Sequence, residues 1–550
     1  MLFFFIPTGI FFNSKLNLKS RNLPIIVFLG MLLQTILLTM VCFFSNLGIT
    51  VFVINFILVS LLGFIYFENI KKLFSETLSD FKKLSSYSKI LLLITLIFTT
   101  FKCASAPFFI DNESYYIQTI KWINEYGFVK GLANLHVFFA QTSAIHVLQA
   151  GFNFSFISQN FNDINGLILL ISAFYFTEKF EKQFQINKKS HWIGFIPCFN
   201  VLFFQFVSQP SPDFILIVVS QIIFYLFLEE NESQEALKTA IFLFLFLVFV
   251  KITIAPIGLL ILFWMYQQKK FLILFSVSSC FLLMFFAIKN TIISGYPLYP
   301  FEYIFYDFEW KIPDNLFSFI TNATKNAGYF ENEVVANPSF YDKLYAWINL
   351  KGLNIFFNLG IIFLFVISYI INQLSKTKKF KIVFFTLLIH FLILLFTSPQ
   401  YRFFLPEFVF LAVFLIAVIT NFLKFDFKTI QIGLILFVIV TFFGLEYIDF
   451  KKLTDNKYLQ KKSDFQFSNI LIPRSNTKYE DLEFIKIKNE NLEYYSPKQN
   501  FFFFGTANGD LPCVNKVQID YFEKYYFIKP QFRTTDIKDG FYSKILNNPK

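Results

Sequence analysis

The stretch FFIDNESYYIQTIKWINEYGFVKGLANLH, Phe108 to His136, decides how the rest of the chain is read. It follows the apolar run Ile90 to Ile110 and opens with two acids, Asp111 and Glu113. Hydrocarbon offers a carboxylate no partner, so the acids mark the point where the chain leaves a bilayer. From Asp111 onward, Tyr115, Gln118 and Trp122 recur at helical spacing, while Tyr116, Ile120 and Ile123 form a separate apolar face. That pattern predicts an amphipathic helix at a membrane interface. Taken alone, Asp111 and Glu113 read as acids favoured by the dipole of a helix N-terminus. Their place at the start of a large loop that runs on to the polar turn GLANLH adds a functional reading.

Composition agrees with a membrane setting. The 550 residues are 55% hydrophobic and 15% charged, with a mean hydropathy of +0.55, whereas soluble domains carry about a quarter charged residues. The 86 Phe accompany abundant Lys, Asn, Ile and Tyr, the pattern of an AT-rich coding sequence, and carry no functional weight. A net charge of +11 raises nucleic acid as a partner. The Lys residues instead fall in short clusters between apolar runs, as the positive-inside rule requires, and no nucleic-acid partner is expected. Cys42, Cys103, Cys198, Cys280 and Cys513 have no metal-binding spacing and suggest no disulfide framework. The N-terminal MLFFFIPTGIFF has no basic residue before its apolar stretch. It therefore reads as an interfacial segment over residues 1–22 rather than a cleavable signal.

Apolar runs from Leu23 to Leu445 predict about thirteen spans. The doubtful place is Leu237 to Tyr266, broken by Lys251 and Pro256, which reads as two short spans joined at the outer surface. That choice puts Lys15, Lys19 and Arg21, the group Lys71 to Lys89, the group Lys179 to Lys189, Lys269 with Lys270, and the group Lys376 to Lys379 on one side. This side is expected to be cytoplasmic. The opposite side receives loops 111–161 and 290–354, the SQPSPD and SPQYR turns, and everything after about Tyr447. The transmembrane domain thus covers residues 23–447. Residues 448–550, more charged and rich in turn signals, predict a small α/β or α+β domain outside the membrane. Phe484 to Lys488 reads as a strand there, and FFFFGTANGDLPC as a buried strand with a following turn.

This layout resembles the GT-C superfamily of lipid-phosphate-dependent glycosyltransferases, whose first large extracytoplasmic loop carries a DxD, DE or similar acidic motif near the preceding membrane helix. More specifically, the chain is similar to an uncharacterised family of large bacterial membrane proteins with GT-C-like topology. The segments that carry the resemblance are Asp111 to His136, KNTIISGYPLYP (Lys289 to Pro300), SPQYRF (Ser398 to Phe403), GDLPC (Gly509 to Cys513) and KDGF (Lys538 to Phe541). The chain departs from that pattern at Tyr116, Phe138 and Gln400, where a His, an Arg and an Asp are usual. The implied fold is an all-α polytopic bundle in the inner (cytoplasmic) membrane with an extracytoplasmic C-terminal domain.

The implied chemistry is glycosyl transfer from a polyprenyl-phosphate sugar donor to a glycan or lipid acceptor, within membrane lipid, during cell-surface glycan assembly. Asp111 is expected to accept the acceptor's proton, with Glu113 as helper. A divalent metal at Asp111 and Glu113 is left open without support from the residues, and no cofactor is expected. The leaving phosphate needs fixed cations. Arg402 is the preferred clamp because its planar fork suits phosphate, with Lys289 and Lys251 as further candidates at outer membrane edges. The bland reading of each cation is a snorkelling side chain. Lys102 falls inside the third span, where a central Lys costs about 2.5–3.5 kcal/mol, so it should face protein or water. Tyr115 and Gln118 share the face of Asp111, and His136 reads more readily as a satisfied polar side chain than as a metal ligand. Competing readings are a transporter or flippase, a polysaccharide polymerase, and a membrane protein without catalytic activity.

Overall fold

The computed structural model describes residues 1–154, 156–157, 164–186, 191–266, 268–302, 306–330, 338–375, 378–447, 466–498 and 501–546. Lys188, Lys189, Lys376 and the expected boundary at 447/448 therefore fall partly or wholly outside the described residues.

The first long apolar helix, Leu23–Cys42, begins where Asn22 accepts the Ile25 amide at 3.3 Å and Pro24 supplies a helical φ. The helix Leu2–Lys15 runs antiparallel along it and buries Phe4 to Ile10, so the N-terminal segment packs within the bundle. Glycines permit the close approach. A Cβ at Gly9 would stand 2.0 Å from the Ile26 carbonyl oxygen, and one at Gly30 would stand 1.9 Å from that of Phe5.

Among the described residues, eight helices are long and apolar enough to cross a membrane. They are Leu23–Cys42, Ser86–Cys103, Pro212–Glu229, Lys269–Ser294, Leu353–Ile371, Lys378–Thr397, Leu405–Phe422 and Phe427–Gly444. A ninth is reached if Ile49–Ile65 and the following Phe67–Lys83, bent by 78°, count as one span. The remaining expected spans also hold helical structure. Trp192–Phe203 and Ile252–Tyr266 are short, however, and Ile164–Gln185 carries Glu178, Lys179, Glu181 and Lys182 in its second half.

The break at Lys251 is a hairpin. The Gln234–Val250 helix ends with Lys251 in extended conformation, and a 3-10 turn, Ile252–Ile257, leads into Gly258–Tyr266. Trp264, near the end of the return helix, donates from Nε1 to the Asn231 carbonyl at 2.8 Å, just ahead of the first helix. The two arms are therefore antiparallel, with Lys251 at the tip.

The basic groups converge at the other end. Lys19 approaches Glu235 at 3.7 Å, Lys179 pairs with Glu230 at 3.0 Å, and Lys182 lies 3.6 Å from Asp80. Lys379 donates to Asn231 Oδ1 and Lys270 to Gln234 Oε1, each at 2.6 Å. Exposed pairs of this kind add little stability. Their value is geometric, because they gather Lys19, Lys179, Lys270 and Lys379 around the Glu229–Glu235 turn, remote from Lys251, and tie Lys182 to Asp80.

Residues 466–546 form a small α+β unit. Strands β1 (Phe484–Asn489) and β2 (Leu492–Pro497) make one antiparallel hairpin, β3 (Ile528–Phe532) and β4 (Phe541–Ile545) another, and helix Lys516–Tyr526 lies between them in sequence. The expected strand at Phe501 to Phe504 is a turn instead. Phe502 O accepts from Asn515 Nδ2 at 2.9 Å and Phe504 O contacts His136 Nε2 at 3.0 Å, so side chains satisfy backbone groups that a sheet would have paired. The unit sits on the Asp111 stretch. Gln118 Nε2 and Lys121 Nζ donate to the Gly509 carbonyl at 2.7 and 2.8 Å, and the Trp122 ring meets Phe541 edge-on at 5.7 Å. The helix Ile117–Glu125 is accordingly buried between bundle and C-terminal unit, not laid on a membrane surface as its amphipathic pattern predicted.

Replacing Gly9 with Leu should force the two N-terminal helices apart and cost about 1–3 kcal/mol or more. Thermal unfolding in detergent measures it, with the Gly433→Leu variant as control, since Gly433 has open space beside it.

Candidate functional site

Four chain segments bring charges together at the end of the bundle away from the basic clusters. Asp111 precedes a π-helical turn, Asn112–Tyr116, a geometry often found at functional sites. Asp213 lies in the first turn of Pro212–Glu229 behind Pro212, where the helix dipole favours an acid. Lys251 follows the last turn of Gln234–Val250, where the dipole favours a cation. Arg402 sits on a 3-10 turn, Tyr401–Phe403, that leads into Leu405–Phe422.

These groups alternate in sign. Arg402 Nη1 donates to Asp111 Oδ2, while its Nε donates to Gln400 Oε1 at 3.1 Å and lies 3.8 Å from Asp213 Oδ2. Lys251 Nζ donates to Asp213 Oδ1 at 2.5 Å and stands 3.8 Å from the centre of the Phe403 ring. Asp213 is 4% exposed, whereas the side chains of Asp111, Lys251 and Arg402 keep 20%, 25% and 26%. The inner acid is thus sealed and the outer three groups remain reachable. Among the described residues Arg402 Nη2 makes no hydrogen bond, leaving one edge of the guanidinium for a ligand.

Buried amides hold the frame. Gln209 Oε1 accepts the Phe109 amide at 2.9 Å and ties the turn before Asp213 to the residues before Asp111. Asn165 Nδ2 reaches the carbonyls of Phe206, Gln209 and Ser211 at 2.8–3.2 Å. Ser143 Oγ donates to Val250 O at 2.8 Å and His390 Nε2 lies 2.9 Å from Thr253 O, fixing the Lys251 tip on both sides. The other His390 nitrogen meets Glu407, which lies in the first turn of the helix that follows Arg402.

Tyr115 lies beside these charges, and Lys289 lies one step behind the Lys251 tip. Lys289 Nζ donates to the Thr142 carbonyl, next to Ser143, and Tyr115 OH lies 3.5 Å from Gln141 Oε1. Four other expected site residues lie elsewhere. Glu113 is buried against the C-terminal unit, where Oε2 accepts Thr477 Oγ1 at 2.6 Å and Oε1 accepts the Lys478 amide at 2.9 Å. Its carbonyl accepts the amides of Thr506 and Ala507. Burial raises the Glu113 pKa, and the Thr477 and Lys478 hydrogen bonds oppose the shift. Gln118 serves the same dock. His136 contacts Phe504 O through Nε2 and accepts the Phe138 amide at Nδ1 at 3.3 Å, a satisfied side chain. Lys102 is not central to a span, because its helix ends at Cys103; it lies in the last turn with Nζ 5.2 Å from the Phe442 ring centre. Among the described residues no group of three or more His, Cys, Asp or Glu is placed to hold a metal ion.

Fold and site together define a polytopic helical membrane protein with a four-charge cluster at one end of its bundle and a C-terminal α+β unit seated on the loop that follows Asp111. The chain belongs to the family described as a domain of unknown function, DUF8201, whose model matches residues 1–410. That range includes all four charges and Lys289, and stops before the C-terminal unit. No curated protein and no solved structure matches the chain.

Replacing Lys251 by Met leaves the sealed Asp213 carboxylate with Arg402, 3.8 Å away, as its remaining cation and should cost up to about 3–5 kcal/mol. The double variant Lys251→Met with Asp213→Asn should recover much of that loss in a thermal-shift cycle. A second expectation concerns acid. Burial lowers His136 from 6.5 to about 4. Between those values the folded chain binds fewer protons than the unfolded one, so this contribution is complete above pH 6.5 and declines towards pH 4. At full extent it is on the order of 3 kcal/mol. Limited proteolysis of the C-terminal unit should quicken as pH falls from 7 to 5, and less so in His136→Gln.

Proposed function

We propose that this chain is a GT-C-like integral membrane glycosyltransferase using a polyprenyl-phosphate-linked sugar. In this reading it has about thirteen spans in the inner membrane, with the Asp111 loop and the C-terminal unit on the outer face. The observation that carries the reading is the contact between Asp111 and Arg402 beside Lys251, in a reachable position at the end of the bundle opposite the basic clusters.

The acceptor hydroxyl attacks the anomeric carbon, the bond from that carbon to the phosphate oxygen breaks, and the phosphate leaves with the electron pair. The acceptor proton passes to the Asp111 carboxylate. The Asp111 carboxylate is occupied by Arg402, and the donor frees it. Its phosphate competes for the guanidinium, and as Arg402 turns to the phosphate, Asp111 is released to act as base. Asp213 holds Lys251 close enough to share the developing charge, and Lys289 adds a further cation beside Thr142. Glu113 has no part in the chemistry; its oxygens are occupied in holding the C-terminal unit over the loop.

Transport sites tend to lie near the membrane midplane between discontinuous helices. The buried contact of His390 with Glu407 is the feature here that a transport reading would use. The four-charge cluster lies instead at helix ends, which supports chemistry at a surface.

Asp111→Asn should lower glycan product by about 10²- to 10⁴-fold at unchanged protein level. Unchanged product removes Asp111 as base. Arg402→Gln should reduce retention of polyprenyl phosphate by the purified protein, and equal retention takes Arg402 out of the donor site.

A further inference from the structure

The proposed chemistry makes no use of the helix Phe67–Lys83, FENIKKLFSETLSDFKK, at the basic end of the bundle. It turns 78° from the apolar helix Ile49–Ile65, directly after Tyr66. If the first helix crosses a bilayer, the second runs close to the plane of its surface.

Its faces are sorted. Phe67, Ile70, Phe74, Leu78 and Phe81 recur at three- and four-residue steps, and all but the partly buried Ile70 are exposed. A stripe of this size left open to water is unusual in a folded protein. The acids on the opposite side face the protein, where Glu76 lies 3.7 Å from Arg21 and Asp80 lies 3.6 Å from Lys182. Leu73 is buried in the same direction. Lys71 and Lys82 fall at one edge of the apolar stripe on a helical projection, with Lys72 further round. Among the described residues none of these three has an ion-pair partner. A shallow depression beside them is lined by Ser75, Leu78, Ser79, Lys82 and Lys83, two hydroxyls and two ammonium groups around one apolar side chain.

We infer that Phe67–Lys83 lies in the headgroup layer of the membrane and binds anionic phospholipid. The apolar stripe sinks towards the acyl chains, while Lys71, Lys72 and Lys82, with Ser75 and Ser79, receive headgroup phosphates. Charge decides the occupant. Glu76 and Asp80 are turned inwards against Arg21 and Lys182, leaving Lys71, Lys72 and Lys82 against the single exposed acid Glu68, so the face presented outwards is net cationic and apolar together, which matches a negatively charged lipid surface. The inference stands independently of the glycosyltransferase reading.

The full chain, with its native cysteines replaced and a nitroxide on Phe74→Cys, is placed in nanodiscs of phosphatidylcholine with or without phosphatidylglycerol. Collisional relaxation should locate the label at headgroup to upper acyl depth, and a water-exposed label overturns the inference and leaves the stripe for a soluble partner. In a second measurement, spin-labelled phosphatidylglycerol competes with phosphatidylcholine at the parent protein and at the variant Lys71→Gln, Lys72→Gln, Lys82→Gln. The parent should prefer the anionic lipid, and the variant should lose roughly tenfold or more of that preference at this site. Equal preference in both proteins, or none in the parent, refutes the anionic-lipid assignment.

Discussion

The ion pair between Arg402 and Asp111 joins residues 291 positions apart and sets the architecture of this end of the molecule. Removing two charges from water is costly, and their mutual attraction repays the cost only when further partners complete the network. Here the partners are Asp213 and Lys251, so the four charges sum to zero, and each except Arg402 sits at a helix end whose dipole favours its sign. Amides rather than further charges hold the backbone. Gln209 and Asn165 pin the turn before Asp213, and Ser143 and His390 hold the backbone on either side of Lys251. A neutral cluster on a rigid frame can exchange one partner for another without leaving a bare charge, a property suited to a site that admits an anion.

Asp111 and Glu113 show how far two neighbouring acids can diverge. The π-helical turn that starts between them carries Asp111 to the cluster and Glu113 to the C-terminal unit, where hydroxyl and amide donors satisfy it. A DxE spacing reads as a pair sharing one task. The turn instead divides them between the charge cluster and the C-terminal unit.

Much of the plan was legible in the chain, and the reasons differ by level. The clustering of Lys between apolar runs anticipated a bundle with one basic end, because membrane insertion sorts charge by side and leaves a linear record of it. The hairpin at Lys251 was legible for the same reason, since a single long span there would have reversed every later loop. Asp111, Arg402 and Lys251 were identifiable as charges at span edges. Asp213 carries no such signal, because an acid behind Ser and Pro reads fully as a helix start; nothing local reports that a distant Lys and Arg will arrive beside it. The helix after Asp111 was correctly amphipathic but assigned the wrong environment, because periodicity shows that a face will be covered without saying by what. Lys102 looks central only because the apolar run extends to Ile110, while the helix stops at Cys103.

The seating of the C-terminal α+β unit on the Asp111 loop bears on biogenesis. A protein threaded into a bilayer as it is synthesised delivers the Asp111 segment early, yet the groups that cap Glu113 and cover Gln118 belong to Thr477, Lys478 and the stretch from Thr506 to Gly509. Gly131 and Gly540, where a Cβ would collide with the carbonyls of Phe541 and Lys130 respectively, mark where the two backbones close on one another. Until the ribosome has released that final portion, the early loop keeps an uncapped acid and bare apolar surface. The order of translation thus leaves this corner of the molecule to mature last, and premature stops just downstream of the last apolar helix would still yield an unfinished protein.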